Sequence, residues 1–130
     1  MPDLSLVVGS DGRHLNEKAL NAVLGLAFAN GISKIYVSSH PKALFSTPAV
    51  SHFVRQLQPE VCIGSLCLTA SHNKGGVDGD FGVKMNDALG APLKEAQTSK
   101  VYALTQTIHQ FKRVEGVFFF ADGHEKIERF

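Results

Sequence analysis

An α/β domain built on a mixed, mainly parallel sheet is what the sequence predicts, on three grounds. Leu4 to Val8, Ile32 to Val37 and Val61 to Leu68 are short runs of aliphatic and β-branched residues, the composition of buried strands. The first two flank an apolar stripe of helical period, so strand, helix and strand fit one βαβ unit with parallel pairing and a right-handed crossover. Polar loops follow all three runs, as expected where an open parallel sheet gathers a ligand at the carboxyl ends of its strands.

Taken in order, Leu4 to Val8 runs into the turn Gly9-Ser10-Asp11-Gly12-Arg13, which places Arg13 in a loop beyond the first strand. Asn16 is a suitable N-cap, with Leu15 and Leu20 at the two positions of a hydrophobic staple. Leu20, Val23, Leu24, Ala27 and Phe28 recur on one helical face, and Gly31 is placed to close the helix in the left-handed conformation. After the second strand, Thr47 reads as an N-cap with Pro48 at the first helical position, and Val50, Phe53, Val54 and Leu57 carry the apolar stripe towards Pro59. The third strand stops at Thr69-Ala70-Ser71-His72-Asn73, and Lys74 to Asp80 is a glycine-rich loop. Phe81 to Asn86 alternates as a strand with one buried face, suited to pairing back antiparallel. Pro92 opens a last helix whose stripe is Val101, Leu104, Ile108 and Phe111. Val117 to Phe120 is a strand-like apolar cluster, and Asp122 to Phe130 is a charged tail without a clear period.

At 130 residues the chain suits one core, and 44% apolar against 19% charged residues excludes wholesale disorder. The formal charge of +1, with Lys and Arg scattered, gives no reason to expect a nucleic-acid partner. No apolar run is long enough to span a membrane, and Met1-Pro2-Asp3 leads into a strand without a cleavable leader, so the expectation is a cytoplasmic protein with no membrane partner. Cys62 and Cys67 are spaced for neither a zinc pair nor a redox Cys-x-x-Cys, and are expected to be reduced thiols near or inside the core.

Three loops, Gly9 to Arg13, Ser38 to Thr47 and Thr69 to Asp80, therefore meet at one end of the sheet. They bring an arginine, a serine, a histidine, an asparagine, lysines and glycine amides, a set suited to an anionic phosphate. There is neither a Walker pattern nor a complete Gly-x-Gly-x-x-Gly fingerprint, so these residues alone point to an anion site and no further.

Thr69-Ala70-Ser71-His72-Asn73, however, resembles the active-site serine loop of the α-D-phosphohexomutases, the phosphoglucomutase branch in particular. Val7-Val8-Gly9-Ser10-Asp11-Gly12-Arg13, Ala29-Asn30-Gly31-Ile32, Ser46-Thr47-Pro48-Ala49-Val50-Ser51 and Gly79-Asp80-Phe81-Gly82-Val83-Lys84-Met85-Asn86 are similar to motifs of that family's first domain, in the same order. The resemblance implies a three-layer α/β/α domain over residues 1–113, lacking the family's N-terminal segment, and a divergent C-terminal tail over 114–130.

Functionally, the resemblance implies that Ser71 carries a phosphoryl group between glucose 1-phosphate and glucose 6-phosphate, through a bisphosphate intermediate. His72 and Lys84 are the rival acid–base residues, with phosphate contact the alternative role of His72; Arg13 and Asn73 are the candidates for binding phosphate, and Arg13 and Lys84 contribute positive charge. Mg²⁺ is expected to touch this chain at Ser71, through its phosphoryl group, with glucose 1,6-bisphosphate as activator. Asp78-Gly79-Asp80 is not the family's metal loop, since the third aspartate is absent and the segment aligns with the strand after the serine loop. Lys74 stands where the family usually has proline. The expected partners are a sugar phosphate and the remaining mutase domains or the full-length enzyme. A partial mutase inactive by itself is the first expectation, and a non-catalytic phosphate-binding or interaction module the alternative.

Overall fold

The computed structural model describes residues 3–38, 40, 43–57, 61–115, 119–120 and 126–128. The expectations at Pro59, Val117, Phe118 and most of the stretch after Ala121 lie outside them. Six residues of β1 (Ser5–Ser10), buried throughout, form the centre. Because side chains alternate across a strand, Leu6 and Val8 turn to one layer and Val7 to the other. Leu6 and Val8 join Leu24 and Phe28 of α1 (Asn16–Ala29), with Ile35 and Leu68. Val7 meets Val50 and Val54 of α2 (Thr47–Gln56), with Cys62 and Cys67, and Phe53 stands edge-on to Tyr36 and Phe45.

The remaining strands are β2 (Lys34–Tyr36), β3 (Cys62–Leu68), β4 (Val83–Asn86), β5 (Phe119–Phe120) and β6 (Lys126–Glu128), and the spatial order is β4-β3-β1-β2-β6-β5. β1 pairs parallel with β2 and β3, while β4 returns antiparallel on β3. With α1 and α2 on opposite faces, this four-stranded part is the mixed, mostly parallel α/β/α sandwich expected. The tail supplies one strand where no period was legible, β6, which pairs antiparallel with β2 through Ile35↔Ile127; β5, inside the predicted strand-like cluster, pairs antiparallel with β6. β3 carries a bulge at Gly64, whose φ is +135° and where a Cβ would lie 2.1 Å from the Asn86 carbonyl oxygen.

Both predicted N-caps shift by one residue. Leu15 precedes α1 with φ +72°, and Asn16 is its first residue, buried, its side-chain amide donating to Ser10 Oγ at 2.7 Å instead of capping. That bond ties the helix start to the end of β1. At α2 the cap is Ser46, whose Oγ accepts from the Ala49 N–H at 3.3 Å; Pro48 falls among the first-turn positions that need no intrahelical donor. Gly31 has φ +101°, in keeping with its predicted role.

The last helix departs most from expectation. Pro92 bridges to Asn86, and α3 (Glu95–Thr107) begins later, with the Lys94 N–H donating to Gln97 Oε1. Val101 and Leu104 are exposed, and Ile108 and Phe111 lie beyond the helix end, exposed as well, so the predicted stripe packs against no core among the described residues. The chain then returns to α1: the Val114 N–H donates to the Gly25 carbonyl, and Val114 packs with the first core layer.

Candidate active site

The ends of β1 and β3 and the segment before α2 converge as the sequence predicts. Ser10 bridges Leu44, the Phe45 N–H donates to the Ser10 carbonyl, and the Asp11 N–H donates to the Leu68 carbonyl. Between them lies a cleft of about 240 Å³, whose lining includes Ser10, Asp11, Phe45, Thr47, Cys67 and Thr69. Gly9 permits this approach, since a Cβ there would stand 2.5 Å from Val50 Cγ2.

Ser71 follows the end of β3 at Leu68 by three positions and is exposed, with φ +57°. A side chain with a Cβ is uncommon in this left-handed region, and such backbone strain clusters at functional sites. Lys84 lies on β4 directly opposite Cys67, and its Nζ donates to Ser71 Oγ. Antiparallel register thus brings together a hydroxyl and an ammonium 13 positions apart in the chain.

The loop is closed by its own backbone. The Asn73 N–H donates to Ala70, Asp80 to Lys74 and Thr69 to Gly82, at 3.1, 2.7 and 2.9 Å. Gly79 and Gly82 are required for this closure: a Cβ at Gly79 would stand 2.3 Å from the Lys74 carbonyl oxygen, and one at Gly82 2.8 Å from that of Thr69.

Arg13 is directed at the protein. Its Nε–H and one Nη2–H meet the Asp11 carboxylate, at 2.9 and 2.7 Å, and its Nη1 and Nη2 reach the carbonyl oxygens of Asp80, Asn73 and Ser71 at 2.8, 3.4 and 3.3 Å. A guanidinium has five N–H donors, and these acceptors account for all five. The hydrogen bonds from Arg13 hold the Asp11 carboxyl below its ordinary value, against the opposing effect of burial. Asp11 also accepts from Thr69 Oγ1 at 2.8 Å, and Thr69 Oγ1 accepts from the Ser71 N–H at 3.0 Å.

The structure therefore unites Ser71, Lys84 and Arg13. His72 is exposed and makes no hydrogen bond to the described residues; Asn73 takes part through its backbone N–H and carbonyl. Sequence reasoning did not single out Asp11 and Thr69. Their signals were local: Asp11 lies two residues before Arg13, and Thr69 two before Ser71, the spacing at which a threonine hydroxyl reaches a backbone amide. Cys62 and Cys67 are buried and unpaired, and burial pushes the Cys67 thiol up, outweighing the opposing influences of Ser65 and Lys84. No three His, Cys, Asp or Glu side chains gather to hold a metal ion among the described residues, so these residues do not by themselves fit a Mg²⁺ site. No described helix is long and apolar enough to cross a membrane.

An exposed serine in strained backbone, touched by a lysine and beside a basic loop clamp, is suited to accepting and donating an anionic group. Comparison with known proteins agrees on the family. Residues 2–112 match the model of the phosphoglucomutase/phosphomannomutase alpha/beta/alpha domain I. The chain is 44% identical to phosphoglucomutase-2 of Paramecium tetraurelia over 120 residues, which is 90% of this chain and 21% of that one. It is 43% identical to phosphoglucomutase of Schizosaccharomyces pombe over 85% of its own length and 19% of the relative's. For human phosphoglucomutase-1 the identity is 40%, over 84% and 18%. Among solved structures, the open form of the Paramecium exocytosis-sensitive phosphoprotein pp63/parafusin, a phosphoglucomutase, superposes with a TM-score of 0.80 at 42% identity, covering 86% of this chain and 20% of that one. The chain thus spans about a fifth of the length of these relatives. It belongs to the phosphoglucomutase/phosphomannomutase family, through that family's α/β/α domain I.

Proposed function

We propose that Ser71 is the phosphoryl carrier of a phosphoglucomutase-type phosphotransfer, interconverting glucose 1-phosphate and glucose 6-phosphate. The single observation that carries this reading is the hydrogen bond from Lys84 Nζ to Ser71 Oγ, on a serine held at φ +57°. In the reaction, Ser71 Oγ bonds to phosphorus as the phosphorus–oxygen bond to the sugar breaks, and the hydroxyl proton ends on the departing sugar oxygen. The reverse transfer returns a phosphoryl group to the sugar's other hydroxyl. Phosphoryl transfer depends mainly on positioning and on offsetting charge at the phosphate oxygens. Lys84 is placed for both; His72, without a contact to Ser71, is the weaker candidate for proton transfer.

On this chain only a phosphorylated Ser71 would offer Mg²⁺ a ligand, and the ion would there offset charge on the phosphate oxygens; aspartate ligands and the distal phosphate site would come from further mutase domains. The chain alone then takes up phosphate without turning over. A cytoplasmic location fits this reading and is supported by the two unpaired cysteines.

Incubating the 130-residue chain with glucose 1,6-bisphosphate and Mg²⁺ and following its intact mass tests the proposal. A single phosphoryl addition, mapped to Ser71 and lost in Ser71→Ala, is expected. Sugar-phosphate binding unaffected by Ser71→Ala, with no phosphoserine formed, would establish the non-catalytic module instead.

A further inference from the structure

The geometry points to Asp11, Arg13 and Thr69 as positioning residues that hold the strained Ser71 backbone, so that its Oγ faces Lys84 for phosphoryl transfer. This rests on Ser71 as the carrier proposed above. Ser71 needs such support because its φ of +57° is one that side chains with a Cβ rarely adopt, and because its partner sits on a different strand. An unrestrained loop would spread Oγ over many positions relative to Lys84 Nζ.

Support reaches Ser71 through the peptide groups on both sides of its Cα. On the amide side, the Ser71 N–H donates to Thr69 Oγ1 at 3.0 Å. A threonine hydroxyl has one hydrogen, and here it is given to Asp11 Oδ2 at 2.8 Å, which leaves its oxygen lone pairs for the amide. Asp11 thereby sets the direction of the Thr69 hydroxyl. On the carbonyl side, Arg13 Nη2 donates to the Ser71 oxygen, and Nη1 to those of Asn73 and Asp80. One planar group therefore joins the start of the loop to its end, which a lysine's single ammonium cannot reproduce with the same geometry.

The two halves meet at Asp11, whose carboxylate binds Thr69 and, through both oxygens, Arg13. Arg13 side-chain exposure is only 8%, so the clamp lies beneath the loop. With all five donors engaged, Arg13 serves the transfer by fixing the loop, and Lys84 is left as the cation in contact with the reacting hydroxyl.

Three variants of the full 130-residue chain test this: Thr69→Val, which keeps shape and removes the hydroxyl; Thr69→Ser, which keeps it; and Arg13→Lys. Two readouts are needed. NMR measures the Ser71 amide exchange rate and the HN–Hα coupling that reports φ, and intact mass follows phosphoserine formation from glucose 1,6-bisphosphate with Mg²⁺. Thr69→Val and Arg13→Lys are expected to change the Ser71 coupling, speed amide exchange at least about tenfold and slow phosphorylation about 10- to 100-fold, the scale for roughly 1 Å of misplacement. Thr69→Ser is expected to restore both readouts to near the parent values. Should Thr69→Val fail to fold by circular dichroism, Arg13→Lys against Thr69→Ser carries the test. If the parent chain gains no phosphate yet its Ser71 signals depend on Thr69 and Arg13, the carrier reading falls and the positioning of Ser71 stands. Ser71 signals unchanged in folded Thr69→Val and Arg13→Lys, or phosphorylation at the parent rate in them, would overturn the proposal.

Discussion

Gly9→Ala probes how the site end of β1 is set against α2. An added Cβ would stand 2.5 Å from Val50 Cγ2, about 1 Å inside ordinary van der Waals contact, and 3.2 Å from both the Cβ and the carbonyl oxygen of Phe45. Val50 is fully buried on α2, so it can withdraw only if the helix shifts. Overpacking of this kind costs about 1–3 kcal/mol. Val50→Ala alone removes two buried methyl groups, about 1.6 kcal/mol of transfer free energy plus a cavity contribution, or about 2–3 kcal/mol altogether. In the double variant the new methyl occupies the vacated space. Its cost should therefore fall short of the sum of the single costs by about 1–2 kcal/mol. Urea unfolding followed by circular dichroism, at constant slope, measures each corner of the cycle. A Gly9→Ala cost below about 0.5 kcal/mol, or an additive cycle, would refute the packing argument.

Two further outcomes follow from the site's ionisable groups. Native Cys62 and Cys67 should resist a thiol reagent at pH 7.5 and react fully after unfolding, since both are buried; because burial raises the Cys67 pKa above 9.0, the unfolded chain ionises first and stability should decline as pH climbs past that value. Asp11 behaves oppositely. Its pKa is lowered from 3.8 by Arg13, so its stabilising effect is fully present above 3.8 and is lost as pH falls through the lower folded value; Asp11→Asn should remove this acid-dependent step in melting temperature and leave the shape of the profile between pH 5 and 8 as in the parent.

Much of this fold was legible because its signals are local. Aliphatic runs placed β1 and β3, the stripe through Leu24 and Phe28 placed α1, and Gly31 marked its end. Caps were less legible, since Asn16 and Ser46 differ from their neighbours in what their side chains meet. Asn16 meets Ser10, across a turn, and that contact decides its role. The α3 stripe failed for a related reason. Apolar period describes what a helix is able to bury, and here the backbone leaves the helical conformation at Ile108, while Val101 and Leu104 face no core among the described residues. At the tail, β6 takes its order from pairing with β2, a partner some 90 positions away that no local pattern in Lys126 to Glu128 reveals.

The candidate site divides along the same line. By itself, the sequence determined the α/β class and the family, because those rest on residue types in order along the chain. It also placed Ser71 and Arg13 in loops at one sheet end, with Lys84 on the strand that follows. Tertiary structure alone decided what each side chain meets. The register that sets Cys67 opposite Lys84 brings Nζ to Ser71 Oγ, and the loop's return brings three carbonyls to Arg13. A charge in a sequence shows that a donor exists. Which acceptor it meets depends on strand register and backbone angles, which arise only when the sheet assembles.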